Sequence, residues 1–366
     1  MLYLAIDQHR KQLTVNLRNE QGDVLEKRQV STQWPRVREY FAALQRRSMP
    51  EGGFVAIVEV CGFNDWLLKL LREYSGHEPV LIQPEQRSKK KTDHRDAQQL
   101  GELLWVNRQR LRDGQQVQGL RRVVPPTAED AADRQLTALR HRLGQQRTRT
   151  INSVQHLLLK HNLQQECPTK GLQTRTARRW LASLELPAID RLEMDQLLAQ
   201  WDLWESQLQT VEEHIAVRQK QHSTASIVAT MPGAAAFGSL ALAASIGDIE
   251  RFPRPESLPN YWGITPSCRN SGDAQQRLGS ITKQGSKLAR FILGQMVMHV
   301  LRRDPYMKAW YQRIKKRRGS KIARVAVMRR MATILWHMLK YRQPYRSGGP
   351  PEVRKMQAAL AFTTSS

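Results

Sequence analysis

The sequence predicts an α/β domain at its N-terminus, followed by a long and mostly helical remainder. Three features point there. The run FVAIVEV at 54–60 is almost continuously apolar, the composition of a strand buried on both faces. Ahead of it, LYLAI at 2–6 and two alternating runs, KQLTVNLR at 11–18 and VLEKRQV at 24–30, frame the turn signal NEQGD at 19–23, as a strand and a hairpin would. Beyond residue 127 the apolar residues recur at spacings of three and four, the helical period.

The remaining elements of the first domain follow in order. Val37, Tyr40, Phe41 and Leu44 mark a helix over 36–47, and NDWLLKLLREY marks another over 64–74. PVLIQP at 79–84 reads as a short strand, and a helix runs from about Asp93 to Val106. The order βββαβαβα matches the ribonuclease-H-like (RuvC-like) fold.

Residues 115–127, closing with Pro125-Pro126, read as a connector. A helix over 128–163 carries stripes at Leu136, Leu139, Leu143 and at Ile151, Val154, Leu158. A second over 189–221 places Leu197, Trp201, Trp204, Leu208, Val211 and Ile215 at alternating spacings of four and three. That heptad seam predicts an antiparallel hairpin or an intermolecular coiled coil. From about residue 226 a third, mainly α-helical unit begins, with a Pro-Gly corner at 232–233, a polar stretch over 267–286 and apolar helices over 287–301 and 322–339. The expected domains are 1–114, a helical insert over 115–225 serving oligomerisation, a helical domain over 226–346, and a loose tail over 347–366.

Charge bounds the function. The 366 residues include 58 Lys+Arg and 33 Asp+Glu, a net charge of +25. A surplus of this size calls for a polyanion, with salt-dependent binding by counterion release. It is concentrated over residues 301–346, where fifteen Lys/Arg face a single acid, Asp304, among several aromatic residues. No apolar run is long enough to span a bilayer, and a cytoplasmic, nucleoid-associated protein is expected. Three widely spaced cysteines speak against a disulfide framework, and neither a zinc-type histidine spacing nor a nucleotide-binding glycine pattern occurs.

Against this basic background four acids stand out. Asp7 and Glu59 close predicted neighbouring strands, while Asp93 and Asp96, one turn apart, open a predicted helix behind Lys89, Lys90 and Lys91. A carboxylate closing a strand as apolar as FVAIV is costly without a partner. Four hard oxygen donors around one cleft suit Mg²⁺ or Mn²⁺, and two such ions about 4 Å apart can clamp both oxygens of a phosphodiester under attack. Acids are also favoured in a helix's first turn by its dipole; the two readings are compatible. The three lysines are placed to approach a phosphate backbone.

AID (5–7), VEVCG (58–62) and KTDHRDA (91–97) resemble the three acidic blocks of the DEDD-type insertion-sequence transposases, recombinases guided by a bridge RNA. The segment from Met231 to Arg290 follows the order of blocks in that family's C-terminal domain: a Pro-Gly hairpin, IGDIERF, GITP, an S-G pair, then GSITKQG and a basic helix. It departs at MPGAAAF, where a second glycine is usual, and at Arg10, where a lysine is usual. The resemblance implies that Asp7, Glu59, Asp93 and Asp96 bind the metal and that Ser271 is a nucleophile, holding a DNA strand as a phosphoserine during exchange. It implies donor and target double-stranded DNA and a guide RNA as partners, and an active site shared between subunits of a homodimer or homotetramer. Arg277, Lys283, Arg290 and the run Lys315, Lys316, Arg317, Arg318 are the expected nucleic-acid contacts. Two alternatives share the same residues: a metal-dependent junction resolvase or nuclease using water, with Ser271 structural, and a non-catalytic nucleic-acid-binding protein.

Overall fold

A computed structural model describes residues 1–84, 93–115, 117, 120–269 and 277–348. The chain divides into two compact units, the first ending at Pro125 and the second beginning at Pro126.

The first unit is mixed α/β. Its strands are β1 (Leu2–Gln8), β2 (Gln12–Arg18), β3 (Val24–Ser31), β4 (Phe54–Glu59), β5 (Val80–Pro84) and β6 (Leu120–Arg122). They form one sheet in the order β3-β2-β1-β4-β5-β6. β2 is antiparallel to both β1 and β3, β4 is parallel to β1 and β5, and β6 runs antiparallel along the edge of β5. Side chains of a strand alternate between faces, and both faces of β1 are covered. Leu2, Leu4 and Ile6 pack with α1 (Trp34–Ser48) and α2 (Asp65–Ser75). Tyr3 and Ala5 pack on the other face with Leu100 and Leu104 of α3 (Asp93–Val106) and Leu111 of α4 (Arg108–Arg112).

Two features differ from the sequence reading. β6 lies inside the expected connector and carries the first unit past residue 114 to Pro125. Its sequence, LRR, has no apolar alternation to reveal it; pairing such as Ile82 with Arg122 is made by backbone along the open edge of β5.

The second unit opens with α5 (Ala128–Lys160), α6 (Arg175–Ser183) and α7 (Ala188–Gln221). Thr127 caps α5 by accepting a hydrogen bond from Asp130 N, as an N-cap threonine does. α5 and α7 form an antiparallel hairpin. The chain continues through α8 (Ser223–Ala229), α9 (Ala236–Ile246), α10 (Ser257–Tyr261), β7 (Pro266–Arg269), β8 (Arg277–Ile281), α11 (Lys287–Arg303) and α12 (Pro305–Lys340), which is broken at Gly319 (φ 81°). α9 is apolar on every side and buried throughout from Gly238 to Ile246, as a central core helix must be.

The heptad seam is filled within the chain. Trp201 packs with Val154, Leu157 and Leu158 of α5. Leu208, Val211 and Ile215 pack with Leu143 of α5 and with Leu240 and Ala243 of α9. Of the two arrangements expected for this seam, the structure forms the antiparallel hairpin within the chain, with the apolar positions packed on α5 and α9. The hairpin and the C-terminal helices fall in one compact unit.

Candidate active site

The sheet brings two of the four acids together. The parallel register of β1 and β4 runs from Leu2–Phe54 to Ile6–Val58, so Asp7 and Glu59 are the next residues on neighbouring strands, which lie about 4.8 Å apart. Both follow the face of Tyr3 and Ala5, the face covered by α3. The Asp7 side chain is 14% exposed and its Oδ2 lies 3.0 Å from His9 Nε2. Glu59 is half-buried.

The direction of α3 follows from what it touches. Gly101 lies against the Asn16 side chain, and Asn16 pairs with Ala5. Trp105 Nε1 donates to Glu20 O, while Tyr3 donates through its hydroxyl to the Glu20 carboxylate at 2.9 Å. The C-terminal end of α3 thus sits over the start of β1. With a rise of about 1.5 Å per residue, its first turn reaches toward the C-terminal ends of β1 and β4. Asp93 is the first helical residue and Asp96 lies one turn on. Their side chains, and Lys89, Lys90 and Lys91 entirely, lie outside the described residues.

The donor set fits a hard divalent cation. Two carboxylates stand side by side at strand ends, and their charge is felt by a neighbour. Burial first, and then the Asp7 and Glu59 charges, push the Cys61 thiol above its ordinary value. Among the described residues no three His, Cys, Asp or Glu side chains form a metal-sized cluster; the described part of this edge contributes two carboxylates, and oxygen ligands of this type suit Mg²⁺ or Mn²⁺. Asp7, Glu59, Asp93 and Asp96 are the residues that would hold the ion.

Sequence reasoning missed the groups that support these acids. His9 is two residues after Asp7, a spacing that could have placed it on the same side. Gln8 and Asn64 are 6% and 5% exposed and bond to each other through their amides. No local pattern announces that pairing, because the two residues are 56 apart.

The remaining expected residues belong to the second unit. Ser271 lies between β7 and β8, outside the described residues. The strands flanking it are antiparallel, with Pro266 opposite Ile281 and Arg269 opposite Arg277. The base of this hairpin is held by close backbone approaches. A Cβ on Gly263 (φ 64°) would stand 2.1 Å from Gln284 O, and one on Gly285 (φ 79°) 2.0 Å from Tyr261 O, so both positions exclude larger residues. Arg290 Nη1 donates to Trp262 O at 2.9 Å and Gln284 O at 3.0 Å, which ties the same loop to α11. Lys283 is exposed, with φ 56°. In α12, Lys315, Lys316, Arg317 and Arg318 are all exposed.

Comparison with known proteins agrees with the division into two motif sets. A DEDD-type transposase family model matches residues 4–163, and the model described as Transposase IS116/IS110/IS902 family matches residues 225–312. Together they span about two thirds of the chain. The chain is 27% identical over 314 residues to "Transposase for insertion sequence element IS1111A" of Coxiella burnetii, covering 80% of this chain and 79% of that protein. It is 28% identical over 309 residues to "Probable family 20 transposase" of Pseudomonas aeruginosa, covering 80% and 85%. No helix among the described residues is long and apolar enough to cross a membrane. The first family model contains Asp7, Glu59, Asp93 and Asp96 and the second contains Ser271, and with both in sequence order the chain belongs to the IS116/IS110/IS902 family of insertion-sequence transposases.

Proposed function

We propose that this transposase cuts and rejoins donor and target DNA by phosphoryl transfer, through a divalent-metal site on Asp7, Glu59, Asp93 and Asp96 and a nucleophile, Ser271. The observation that carries the reading is the placement of Asp7 and Glu59 on adjacent parallel strands beneath the helix that begins at Asp93. The strand order β3-β2-β1-β4-β5, with only β2 antiparallel to its neighbours among these five, supports a ribonuclease-H-like first unit. Bound Mg²⁺ or Mn²⁺ would stabilise charge on the phosphate oxygens and on the attacking hydroxyl.

The protein's own groups divide the remaining work. Ser271 Oγ attacks the phosphorus; a serine–phosphate bond forms, a DNA P–O bond breaks, and a DNA hydroxyl leaves with a proton. In rejoining, a hydroxyl of the exchanged strand attacks the phosphoserine and restores the serine. The ester conserves the bond energy that attack by water would lose. Lys89, Lys90, Lys91, Arg277, Lys283, Arg290 and Lys315–Arg318 contact phosphates. Guidance by a bridge RNA and a homodimeric or homotetrameric assembly follow from the family resemblance, and the +25 charge suits more than one polyanion.

The test is covalent trapping. The full chain, with co-expressed RNA retained, is incubated with labelled donor and target DNA and Mg²⁺, then resolved on a denaturing gel. A protein–DNA adduct that disappears in Ser271→Ala and in Asp93→Ala supports the serine mechanism. Cleaved DNA without an adduct, unaffected by Ser271→Ala, points instead to a metal-dependent nuclease.

A further inference from the structure

The register between β1 and β4 ends at Ile6–Val58, one residue short of the two acids. Asp7 is still paired with Thr14 of β2 and Glu59 with Ile82 of β5, so each strand end is held on its outer side, while between β1 and β4 themselves no pair is formed at the acids. Directly behind them lies an interlocked pair of buried amides. Gln8 alternates to the face opposite Asp7; its Nε2 donates to Phe63 O at 3.0 Å, and its Oε1 accepts from Asn64 Nδ2 at 2.8 Å. Asn64 Nδ2 also donates to Glu59 O at 3.1 Å, and Asn64 Oδ1 accepts from Cys61 N at 2.5 Å. Two side chains thereby gather the carbonyl of Glu59, the amide of Cys61 and the carbonyl of Phe63 onto the end of β1. On its other side β4 is held by Val60 N donating to Ile82 O at 2.8 Å.

Two primary amides buried to this extent are costly unless bonded, and an apolar pair would fill the same space without that cost. What the amides add is direction: a satisfied polar network admits one arrangement and stiffens it. The arrangement sets the lateral spacing and twist between the ends of β1 and β4, and hence between their terminal carboxylates.

We propose that Gln8 and Asn64 are positioning residues for the metal site: their interlocked amides tie the end of β1 to the end of β4 beyond the last pair of their shared ladder and hold the Asp7 and Glu59 carboxylates at the separation a divalent cation requires. The inference rests on the metal reading of these acids. Groups that orient ligands from behind typically change metal affinity tenfold to a hundredfold when removed.

The experiment measures Mn²⁺ binding to the full-length chain without DNA, by calorimetry and by the electron paramagnetic resonance of free Mn²⁺, with thermal unfolding recorded in parallel. Gln8→Met keeps the bulk and deletes the amide; Asn64→Ala deletes the centre of the network. Ser75→Ala is the comparison, a buried hydroxyl of the same unit that donates to His77 O. Both network variants are expected to weaken Mn²⁺ binding about tenfold or more, while Ser75→Ala lowers the unfolding temperature and leaves the affinity unchanged. Should Asn64→Ala fail to fold, Gln8→Met decides alone. Native affinity in a folded Gln8→Met variant, with Asp7→Asn losing Mn²⁺, overturns the positioning role and leaves the metal reading standing. Native affinity in Asp7→Asn removes the metal reading, and this inference with it.

Discussion

Arg218 closes the α5–α7 hairpin onto Asp133, with Nε 2.8 Å from Oδ1 and Nη2 3.2 Å from Oδ2. The pair is asymmetric: Asp133 is 1% exposed and Arg218 35%. At the far end of the same two helices, Lys160 and His161 both reach Asp190, at 2.7 Å each. The long hairpin is therefore pinned by polar contacts at both ends and by the apolar seam between them. Arg218→Ala leaves a buried carboxylate without its bidentate donor, a loss of about 1–3 kcal/mol, and is expected to lower the unfolding temperature while Arg149→Ala, on the exposed side of α5, does not. Denaturant titration of the two variants checks this.

Gly101 is where α3 comes closest to the sheet. A Cβ there would stand 2.4 Å from Asn16 Oδ1, and Asn16 cannot swing aside because it is 1% exposed and holds Arg18 Nε at 3.2 Å. Gly101→Ala is expected to lift α3 from β2, destabilise the first unit by about 1–3 kcal/mol and shift the turn that carries Asp93 and Asp96. The measurements are thermal unfolding and Mn²⁺ affinity, both of which should fall.

Asp304 anchors the end of the described chain. Its carboxylate, fully buried, accepts from Met307 N at 3.0 Å, Gly348 N at 2.8 Å and the Tyr345 hydroxyl at 2.5 Å. Burial pushes its carboxyl upward, but these hydrogen bonds outweigh it and hold the group below its ordinary 3.8. A depressed folded value gives stability that is present above the unfolded value and lost as pH falls through the folded one. Tyr345→Phe removes one donor, so the acid-unfolding midpoint is expected to move to higher pH, with about 1 kcal/mol lost at neutral pH. Burial first, and the Asp304 bond next, raise the Tyr345 phenol above 10.0. The native protein should therefore lose stability progressively above about pH 10, a slope that the phenylalanine variant should reduce.

Helix α12 presents Lys315, Lys316, Arg317 and Arg318 in succession, none of them buried. Replacing all four by alanine is expected to leave folding unchanged and to weaken binding to duplex DNA of any sequence. If each contacts one phosphate, the slope of log K against log salt falls by about 0.9 per residue removed. Fluorescence anisotropy over a salt series reads this directly. An unchanged slope would place the nucleic acid elsewhere on the protein.

Much of this architecture is legible in the sequence because it is written in short-range periods. The buried run 54–60, the hairpin around 19–23 and the apolar stripes of the long helices each follow from residues a few positions apart, and the structure contains β4, the β2–β3 pair, α5 and α7 there. The identities of Asp7 and Glu59 and their place at strand ends are legible for the same reason. What only the tertiary structure decided are pairings between distant residues. LRR becomes β6 because β5 has an open edge; the seam of α7 is packed by α5 and α9 of the same chain; Gly101 is required because Asn16 lies beneath it; and Gln8 meets Asn64 across 56 residues. Periodicity is a property of the local chain, whereas the choice of partner for an edge, a seam or a buried amide is made only when distant segments are brought within hydrogen-bonding or van der Waals reach.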